Sequence, residues 1–264
     1  MDKIEIQVLN PDVLIDARKM MACGARLTQS GEKIKNLWEL EVLYNKPATD
    51  KFISSLCKLP HATLQRFVTI NVAVVGASRR FLAQITRHQA GVCFMSASLQ
   101  YSNYGDDADF VIPYGLHVKN YGDALLQETY LDTCKKSMKM YKNLVDGGFS
   151  NDDAGYMAPQ GLRNVLLISA NPYEWKHMIS QRVCRRNTPE TRYVMLKIWE
   201  ALFALDPVIF APEITGPFCM TGGCQEGRMS CGNALRKFLT PTDILHIDFP
   251  RFYREGPRNE DSSN

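Results

Sequence analysis

Two polar segments of the chain carry residue types that suit the binding of an anion. The first contains Gln84, Arg87, His88 and Gly91, within the sequence QITRHQAGVCFMSASLQYS at residues 84–102. These four residues are three or four positions apart, so they share one face if the segment begins as a helix. A cation on a buried face is costly unless an opposite charge pairs with it. The face is therefore either an ordinary solvated patch or a place where an anion binds.

The second segment gathers arginines around a helix break at Pro189. It is SQRVCRRNTPETR at residues 180–192, and its arginines are Arg182, Arg185, Arg186 and Arg192. Guanidinium groups so close together repel each other unless anions or carboxylates meet them. A surface patch paired with Glu190 would also satisfy them. This segment too is compatible with a solvated patch or with an anion site.

A glycine-rich segment holds three cysteines in a short span. It is GPFCMTGGCQEGRMSCG at residues 216–232, and its cysteines are Cys219, Cys224 and Cys231. Its turns could bring the three thiolates around a zinc ion or an iron–sulfur cluster, with Cys184 or a histidine as the fourth ligand. The spacing is not that of a common zinc or iron–sulfur motif, so free thiols are the alternative. Cys93 has no flanking histidine other than His88, and a packing role is predicted for it in place of a nucleophilic one.

The elements that must position these segments are predicted from periodicity and capping residues. The first 58 residues show apolar residues three and four apart, which is typical of helices. FVTINVAVV predicts a strand from Phe67 to Val75 that ends at Gly76, after which Ser78 caps a helix, RRFLAQITRHQ. The other predicted elements are a helix over Tyr121–Val145, a strand over 162–169, and helices over 171–184 and 188–205 that begin with Asn-Pro and Thr-Pro. The predicted fold class is α/β of the α+β type, with a central mixed or antiparallel sheet flanked by helices.

Length and composition limit the classes of protein to which the chain can belong. It has 264 residues, 45% of them hydrophobic, which is enough for one domain with a large core. The net charge of +3 is too small for a protein that wraps nucleic acid, and the N-terminus has the pattern of neither a signal peptide nor a membrane span. We therefore expect a cytoplasmic protein with neither nucleic acid nor membrane as a partner. We expect a single domain over residues 1–264, with a cysteine-containing segment at about 207–250 and a frayed polar tail at 255–264.

Four segments resemble, in the same order along the chain, those of the flavin-dependent thymidylate synthase family. SRRFLAQITRHQAG followed by SASLQYS is similar to the family signature, which has Arg-His-Arg, seven residues and a serine before a final Arg-Tyr. HATLQRF resembles the His-Glu-Thr segment before the strand, and DARKMMACGARLT resembles an N-terminal alanine-arginine segment. NPYEWKHMISQRVCRRNTPETR resembles a late run of Asn, then Arg, then Glu-x-Arg. Four matches in order are more specific than any one of them, and most of the chain takes part.

The resemblance implies a homotetramer with active sites at subunit interfaces, and a reaction on deoxyuridine monophosphate (dUMP). In the family, methylenetetrahydrofolate donates a methylene group to uracil C5, and FAD reduced by NADPH supplies the hydride that completes the methyl group of dTMP. The folate supplies the methylene group and the flavin supplies the hydride, so the catalytic domain contributes mostly positioning and electrostatics.

The resemblance also implies a role for each matching residue. The residues that would contact FAD are Thr63, Arg87, His88, Gln89, Asn171 and Arg186. The residues that would hold the nucleotide are Gln84, Ser98, Leu99, Gln100 and Arg182. Arg182 would lie on the pyrimidine as the catalytic residue, because a guanidinium can stabilise negative charge as C5 becomes nucleophilic. Ser98 would bind the ligand through its hydroxyl group and is not expected to be a nucleophile.

The chain departs from the family pattern at positions where an arginine is usual. Gln100 stands before the tyrosine of the signature, and Gly155 stands in AGYMAPQG. Gln89 replaces the last arginine of Arg-His-Arg, and eight residues in place of seven separate it from Ser98. The arginines that we expect to supply the missing contacts are Arg80, Arg163 and Arg185. The alternatives are a flavoenzyme that makes another change at C5, such as hydroxymethylation, and a non-catalytic nucleotide-binding relative.

Overall fold

The computed structural model describes residues 1, 3–104, 108–118, 123–236 and 238–252. The strands are β1 (Glu5–Val8), β2 (Ile70–Ser78), β3 (Val92–Ser96) and β4 (Arg163–Ala170). The α-helices are α1 (Val13–Ser30), α2 (Leu37–Asn45), α3 (Asp50–Cys57), α4 (Arg79–Ile85), α5 (Tyr114–Val118), α6 (Asp123–Asp146), α7 (Asn151–Gly155), α8 (Pro172–Arg182), α9 (Pro189–Leu205), α10 (Pro212–Thr215), α11 (Phe218–Thr221) and α12 (Pro241–Asp248). Short 3₁₀ helices lie at Gly31–Lys33, Ala62–Gln65 and Gly227–Met229. Within these ranges, no helix combines the length and the apolar character that crossing a membrane requires.

The strands form an antiparallel sheet in the order β1-β2-β4-β3. In the centre of the sheet, Ile168 of β4 lies opposite Val72 of β2 on one side and Phe94 of β3 on the other. Alternate residues of β2, including Ile70, Val72 and Val74, are buried, as the two-residue period of a strand requires. One face of the sheet therefore lies in the core, and the prediction of an antiparallel sheet flanked by helices is confirmed.

Helices α8 and α9 bury two tryptophans in the main core. Trp175 and Trp199 are both fully buried. Trp175 Nε1 donates a hydrogen bond to the Ile70 carbonyl at 3.1 Å. Trp199 Nε1 donates to the Phe210 carbonyl at 2.9 Å. A buried indole N–H without a partner would cost free energy, so these bonds fix the rings and, with them, the helices. Because α8 ends at Arg182, this core also positions the arginine-rich segment that follows.

A second, smaller apolar cluster packs α6 and α7 near the start of β4. Its buried members include Met138 and Tyr141 from α6, Ala154 from α7, and Leu162. Because α7 ends at Gly155, this cluster positions one of the two places where the sequence pattern has lost an arginine.

Gly76 lies inside β2 and does not end it, contrary to the sequence prediction. The strand continues to Ser78 through a bulge. Gly76 has a φ of +82°, and a Cβ at this position would lie 2.4 Å from the Lys3 carbonyl oxygen. A side chain would be strained and would collide, so glycine is required here for the bulge. The observed strand, Ile70–Ser78, is consequently shifted toward the C-terminus from the predicted Phe67–Val75.

Other elements differ from the predictions near the N-terminus and around the first polar segment. The first 58 residues are not helical throughout, because Glu5–Val8 forms an edge strand that pairs with β2. α4 ends at Ile85 and not at residue 89, and the chain then forms β3, which was not predicted. Both differences follow from pairing between distant strands, which local periodicity does not report.

The remaining elements agree closely with the predictions. The predicted strand over 162–169 is observed at Arg163–Ala170, and the helices that follow Asn-Pro and Thr-Pro begin at those prolines. The predicted helix over Tyr121–Val145 is observed as Asp123–Asp146, and its first two predicted residues lie outside the described ranges. The polar tail predicted at 255–264 also lies outside them.

Candidate active site

Helix α4 connects strand β2 to the first polar segment, which lies beside α8. Ser78 caps this helix, as predicted, by accepting a hydrogen bond from the Phe81 N–H at 3.1 Å. The Ser78 N–H and hydroxyl group donate to Glu190 at 2.7 and 2.6 Å. The buried side chains of Phe81 and Ile85 pack α4 into the core. The helix ends at Ile85, so His88 and its neighbours lie in the turn after it and not on a regular helix face.

Gly91 lets this turn pass close to the start of α8. Its φ is +67°, and a Cβ here would lie 3.1 Å from Glu174 Cγ and 3.6 Å from Asn171 Nδ2. A side chain at Gly91 would therefore be both strained and crowded. Asn171 caps α8, since its Oδ1 accepts a hydrogen bond from the Glu174 N–H at 3.0 Å. The structure thus brings Asn171 next to the segment that contains the predicted flavin contacts of the first motif.

Arg182 and His88 form a hydrogen bond although 94 positions separate them. Arg182 Nε donates to His88 Nε2 at 2.9 Å, and Arg182 Nη1 donates to Asn187 Oδ1 at 3.4 Å. Burial, the charge of Arg182 and the adjacent His177 lower the pKa of His88 to about 4. His88 is therefore neutral at pH 7, with Nε2 as the acceptor, and it orients the guanidinium of Arg182.

Arg87 adds a second positive charge beside Arg182. Burial and then the charge of Arg87 lower the pKa of Arg182, which stays protonated because a guanidinium does not lose its proton in proteins. Arg87 is exposed, and in the described part of the chain it has no hydrogen bond or ion pair. We call Arg87, His88 and Arg182 the arginine–histidine cluster. Two neighbouring cations that no carboxylate contacts within the described residues make a site for an anion.

The other predicted contacts of the flavin and the nucleotide lie on the elements around this cluster. Thr63 is exposed on the 3₁₀ helix Ala62–Gln65, which packs against α8. Gln89 is exposed in the turn after α4, and Gln84 is half-buried on α4. Arg186 is exposed after the end of α8. In the described ranges, none of these four side chains forms a hydrogen bond with the arginine–histidine cluster.

A separate cavity gathers the residues predicted to hold the nucleotide. Its volume is about 500 Å³, which lies in the range of small-molecule sites. Its lining includes Arg79, Ser96, Ser98, Leu99, Gln100 and Gly155. Three of the predicted nucleotide contacts are therefore together, whereas Gln84 and Arg182 are not in the lining formed by the described residues.

Gly155 and Leu99 lie next to each other in the wall of this cavity. A Cβ on Gly155 would lie 3.2 Å from Leu99 Cβ and 3.6 Å from Leu99 Cδ1. An arginine at position 155 would therefore push against Leu99, and one of the two would have to move. The absence of an arginine at Gly155 and the presence of Leu99 are thus parts of the same local packing.

Two of the arginines expected to replace the missing contacts have partners within the chain, and neither is in the described lining of this cavity. Arg163 Nη1 donates to the Gly76 carbonyl at 2.6 Å, and Arg163 Nε lies 3.2 Å from a carboxylate oxygen of Asp109. Arg185 pairs with Asp248, with a shortest distance of 2.6 Å. Both guanidinium groups hold the fold together at these positions.

The third expected replacement, Arg80, faces a different cavity, which Glu190 also lines. Among the described residues, the arginine that lines the cavity with Ser98 and Gln100 is its neighbour, Arg79, which was not predicted. The signal for it was available: Arg79 directly follows the helix cap Ser78, in the segment that leads to the arginine–histidine cluster.

The predicted metal site is not supported by the structure. The thiols of Cys184, Cys219, Cys224 and Cys231 border one cavity of about 30 Å³. Nevertheless, the described residues contain no group of three or more Cys, His, Asp or Glu side chains arranged to hold a metal ion. Two of the thiols point to other groups: Cys224 Sγ lies 3.5 Å from Ser230 Oγ, and Cys231 Sγ lies 3.5 Å from the Asn233 carbonyl. The side chains therefore do not fit a zinc ion or an iron–sulfur cluster in this arrangement.

Cys93 does not pack in the core of the chain, as was predicted for it. It is exposed on β3, on the face of the sheet opposite the buried one. It lies opposite Ser169 of β4. A packing role for Cys93 within a single chain is therefore wrong.

The architecture of antiparallel sheet and helices matches that of a solved nucleotide methylase. The structure is the crystal structure of a UMP/dUMP methylase, PolB, from Streptomyces cacaoi bound with 5-Br dUMP. The TM-score is 0.59, with 17% identity, and the alignment covers 80% of this chain and 94% of that chain. The two proteins share a fold at this level of identity.

Proteins of similar sequence identify the family. A flavin-dependent thymidylate synthase from Geobacter sulfurreducens is 26% identical over 220 residues, which are 83% of this chain and 90% of that protein. The enzyme of the same name from Thermococcus kodakarensis is 29% identical over 175 residues, which are 64% of this chain and 69% of that protein. The sequence profile of the family described as thymidylate synthase complementing protein matches residues 12–208. This chain belongs to that family, and the membership predicted from its motifs is confirmed.

Proposed function

We propose that this chain is a flavin-dependent thymidylate synthase, which transfers the methylene group of methylenetetrahydrofolate to C5 of dUMP and reduces it to give dTMP. The observation that carries the proposal is the hydrogen bond from Arg182 to His88. The two residues come from two separate motifs of the family resemblance, and they meet beside a further cation, Arg87. Family membership and the names of the relatives support the same activity.

The residues around the turn after α4 fit an anionic flavin cofactor. Arg87 is exposed and has no partner in the described part of the chain, so it can bind a phosphate or a ring carbonyl of FAD. His88 lies in this turn, and Asn171 lies beside it, near Gly91. When bound, FAD supplies the hydride that completes the methyl group, and NADPH is the proposed reductant. Thr63, Gln89 and Arg186 are proposed as further flavin contacts from the elements that surround the turn.

Arg182 is the proposed catalytic residue because its position and its electrostatics suit a developing negative charge. Its Nε is held by neutral His88 and its Nη1 by Asn187, so the guanidinium is oriented before a ligand arrives. It is partly buried, and a charge acts more strongly where water is excluded. Hydrogen bonds from Arg182 to a pyrimidine carbonyl would stabilise the charge that develops as C5 becomes nucleophilic.

The nucleotide is proposed to occupy the cavity beside β3 and α7. Ser98 and Gln100 supply a hydroxyl group and an amide at its wall, and Leu99 supplies an apolar surface. Gln84 and Arg182 are not in the described lining of this cavity, so they are proposed to contact the nucleotide from a second copy of the chain, at an interface between subunits. In this arrangement Ser98 binds the ligand and takes no part as a nucleophile.

The active enzyme is proposed to be a homotetramer of single catalytic domains in the cytoplasm. The outer face of the sheet supports the assembly, because several of its large apolar side chains are exposed. Their exposed fractions are 71% for Met95, 46% for Val165, 44% for Leu167 and 41% for Val75. Met95 lies opposite Leu167, and Val165 lies opposite Val75, so these side chains form one continuous patch. Such a patch is typical of a surface that another protein covers, and we assign it to contacts between copies of this chain.

Reoxidation of the reduced flavin tests the proposed function. The protein is loaded with FAD, reduced with NADPH without oxygen, and mixed with methylenetetrahydrofolate in the presence or absence of dUMP. We expect the flavin absorbance to return only when both substrates are present, and to return much more slowly in an Arg182→Lys variant, because lysine lacks the planar fork of donors. Reoxidation that does not depend on dUMP would contradict the proposal.

A further inference from the structure

Arg79 carries a buried donor that has no partner in the protein. Its Nη1 is buried and, in the described residues, forms no hydrogen bond. Its backbone N–H is fixed by the Leu162 carbonyl at 3.0 Å, so the residue itself is firmly placed. A buried guanidinium nitrogen that lacks a hydrogen bond costs free energy, and such groups need an explanation in a native protein. The side chain therefore keeps donor capacity that the described protein groups do not use.

The cavity that Arg79 lines is the one that holds the proposed nucleotide contacts. Ser98 and Gln100 lie on its wall. The Ser98 hydroxyl oxygen accepts a hydrogen bond from the Gln100 N–H at 3.1 Å, so its own hydrogen is available as a donor. Asp152 also lines the cavity, and its exposed carboxylate can accept a hydrogen bond from a sugar hydroxyl group. The lining therefore offers a guanidinium, a hydroxyl group and an amide as donors, beside one exposed carboxylate.

Arg79 is the only arginine among the described residues that line this cavity. Gln100 and Gly155 stand where two arginines would be expected, and Leu99 fills the space beside Gly155. Arg163 and Arg185 are held by Asp109 and Asp248, and Arg80 faces the neighbouring cavity. A guanidinium binds phosphate oxygens through charge-assisted hydrogen bonds, often two at once.

We propose that Arg79 binds the 5′-phosphate of the pyrimidine nucleotide and so determines that the substrate is a nucleotide and not a nucleoside. This assignment rests on the proposed function, because it takes dUMP as the ligand of the cavity. It adds that one arginine, at the first position of α4, replaces the contacts absent at Gln100 and Gly155.

Calorimetry with the FAD-loaded protein, using dUMP and deoxyuridine as the two probes, tests the proposal. We expect the parent to bind dUMP more tightly than deoxyuridine by roughly ten- to a hundredfold, the value of a charge-assisted hydrogen bond. Arg79→Ala should remove most of this ratio by weakening dUMP alone, and Arg79→Lys, which keeps the charge without the fork, should keep part of it. Arg80→Ala is the matched control, since it removes the neighbouring exposed arginine, and the ratio should stay at the parent value.

The outcomes separate this proposal from the proposed function. If the parent prefers dUMP and the Arg79→Ala variant keeps the same preference, the assignment of Arg79 is overturned while the function stands. If the FAD-loaded parent binds neither probe, the proposed function fails and the assignment fails with it. Thermal unfolding and flavin content of each variant show whether the fold is intact. Should Arg79→Ala not fold, an unchanged ratio in Arg79→Lys and Arg79→Gln would overturn the assignment, and a graded loss would support it.

Discussion

Lowering the pH is expected to destabilise the protein through His88. The pKa of His88 is about 4 in the folded chain, against an ordinary value of 6.5, because burial, Arg182 and His177 disfavour the imidazolium. Between these two pH values, the unfolded chain binds a proton at His88 that the folded chain excludes. The stability that depends on neutral His88 is therefore complete above about pH 6.5 and is lost as the pH falls toward 4.

The size of the effect follows from the difference between the two pKa values. A pKa lower by about 2.5 corresponds to about 3.4 kcal/mol, at roughly 1.36 kcal/mol for each pKa unit. His88 is only half-buried, so solvent screening reduces this figure, and we expect about 1–2 kcal/mol. Between pH 7 and pH 4, the parent should lose that much more free energy of unfolding than a His88→Gln variant, in which position 88 does not titrate.

Urea unfolding at the two pH values measures this difference, and an NMR titration of the imidazole signals measures the pKa directly. Replacement of His61, an exposed histidine, is the matched control, and His61→Gln should keep the pH dependence of the parent. A midpoint for His88 near 6.5, or the same pH dependence in the parent and in His88→Gln, would refute the reasoning.

Three further predictions concern the flavin, the nucleophile and the assembly. Arg87→Ala should weaken FAD binding by about ten- to a hundredfold, because a charge-assisted contact contributes roughly 1.5–3 kcal/mol. Fluorescence titration with FAD measures this, with Arg80→Ala as the control. Equal FAD affinity in the parent and in Arg87→Ala would exclude the contact. Cys93→Ala should form product within a few-fold of the parent rate, whereas a loss on the order of a thousandfold would reveal a covalent catalyst. Leu167→Lys should break the assembly, because it buries a charge in an apolar contact; light scattering should show smaller particles for it, and an unchanged mass would contradict the assigned interface. Leu205→Lys, at an exposed leucine at the end of α9, is the control and should leave the mass unchanged.

Local signals in the sequence predicted the elements that begin with a capping residue. Asn171 and Ser78 both accept hydrogen bonds from the first turn of the helix that follows, as their residue types indicate. β1, in contrast, is four residues long and is stabilised by pairing with β2, which lies more than sixty positions away. A short edge strand has no periodicity of its own long enough to identify it.

The sequence indicated residues of the candidate site but not how they are arranged in space. The motifs indicated Arg87, His88 and Arg182, yet they could not show that His88 accepts a hydrogen bond from Arg182. His177 was missed because its ring approaches His88 from another element, with 5.9 Å between the ring centroids. Arg79 was missed because the pattern directed attention to arginines at other positions. Which arginine is free depends on ion pairs between distant residues, and a single sequence does not contain those pairings.

The mass of the nucleotide that forms from dUMP tests the central claim most directly. The FAD-loaded protein is incubated with dUMP, methylenetetrahydrofolate and NADPH, with Arg182→Lys and a mixture without folate as controls. We expect dTMP, a nucleotide with one added methyl group, in the complete mixture, with much less in the Arg182→Lys reaction and none without folate. Recovery of unchanged dUMP from the complete mixture, or a product that carries a hydroxymethyl group, would contradict the proposed thymidylate synthase activity.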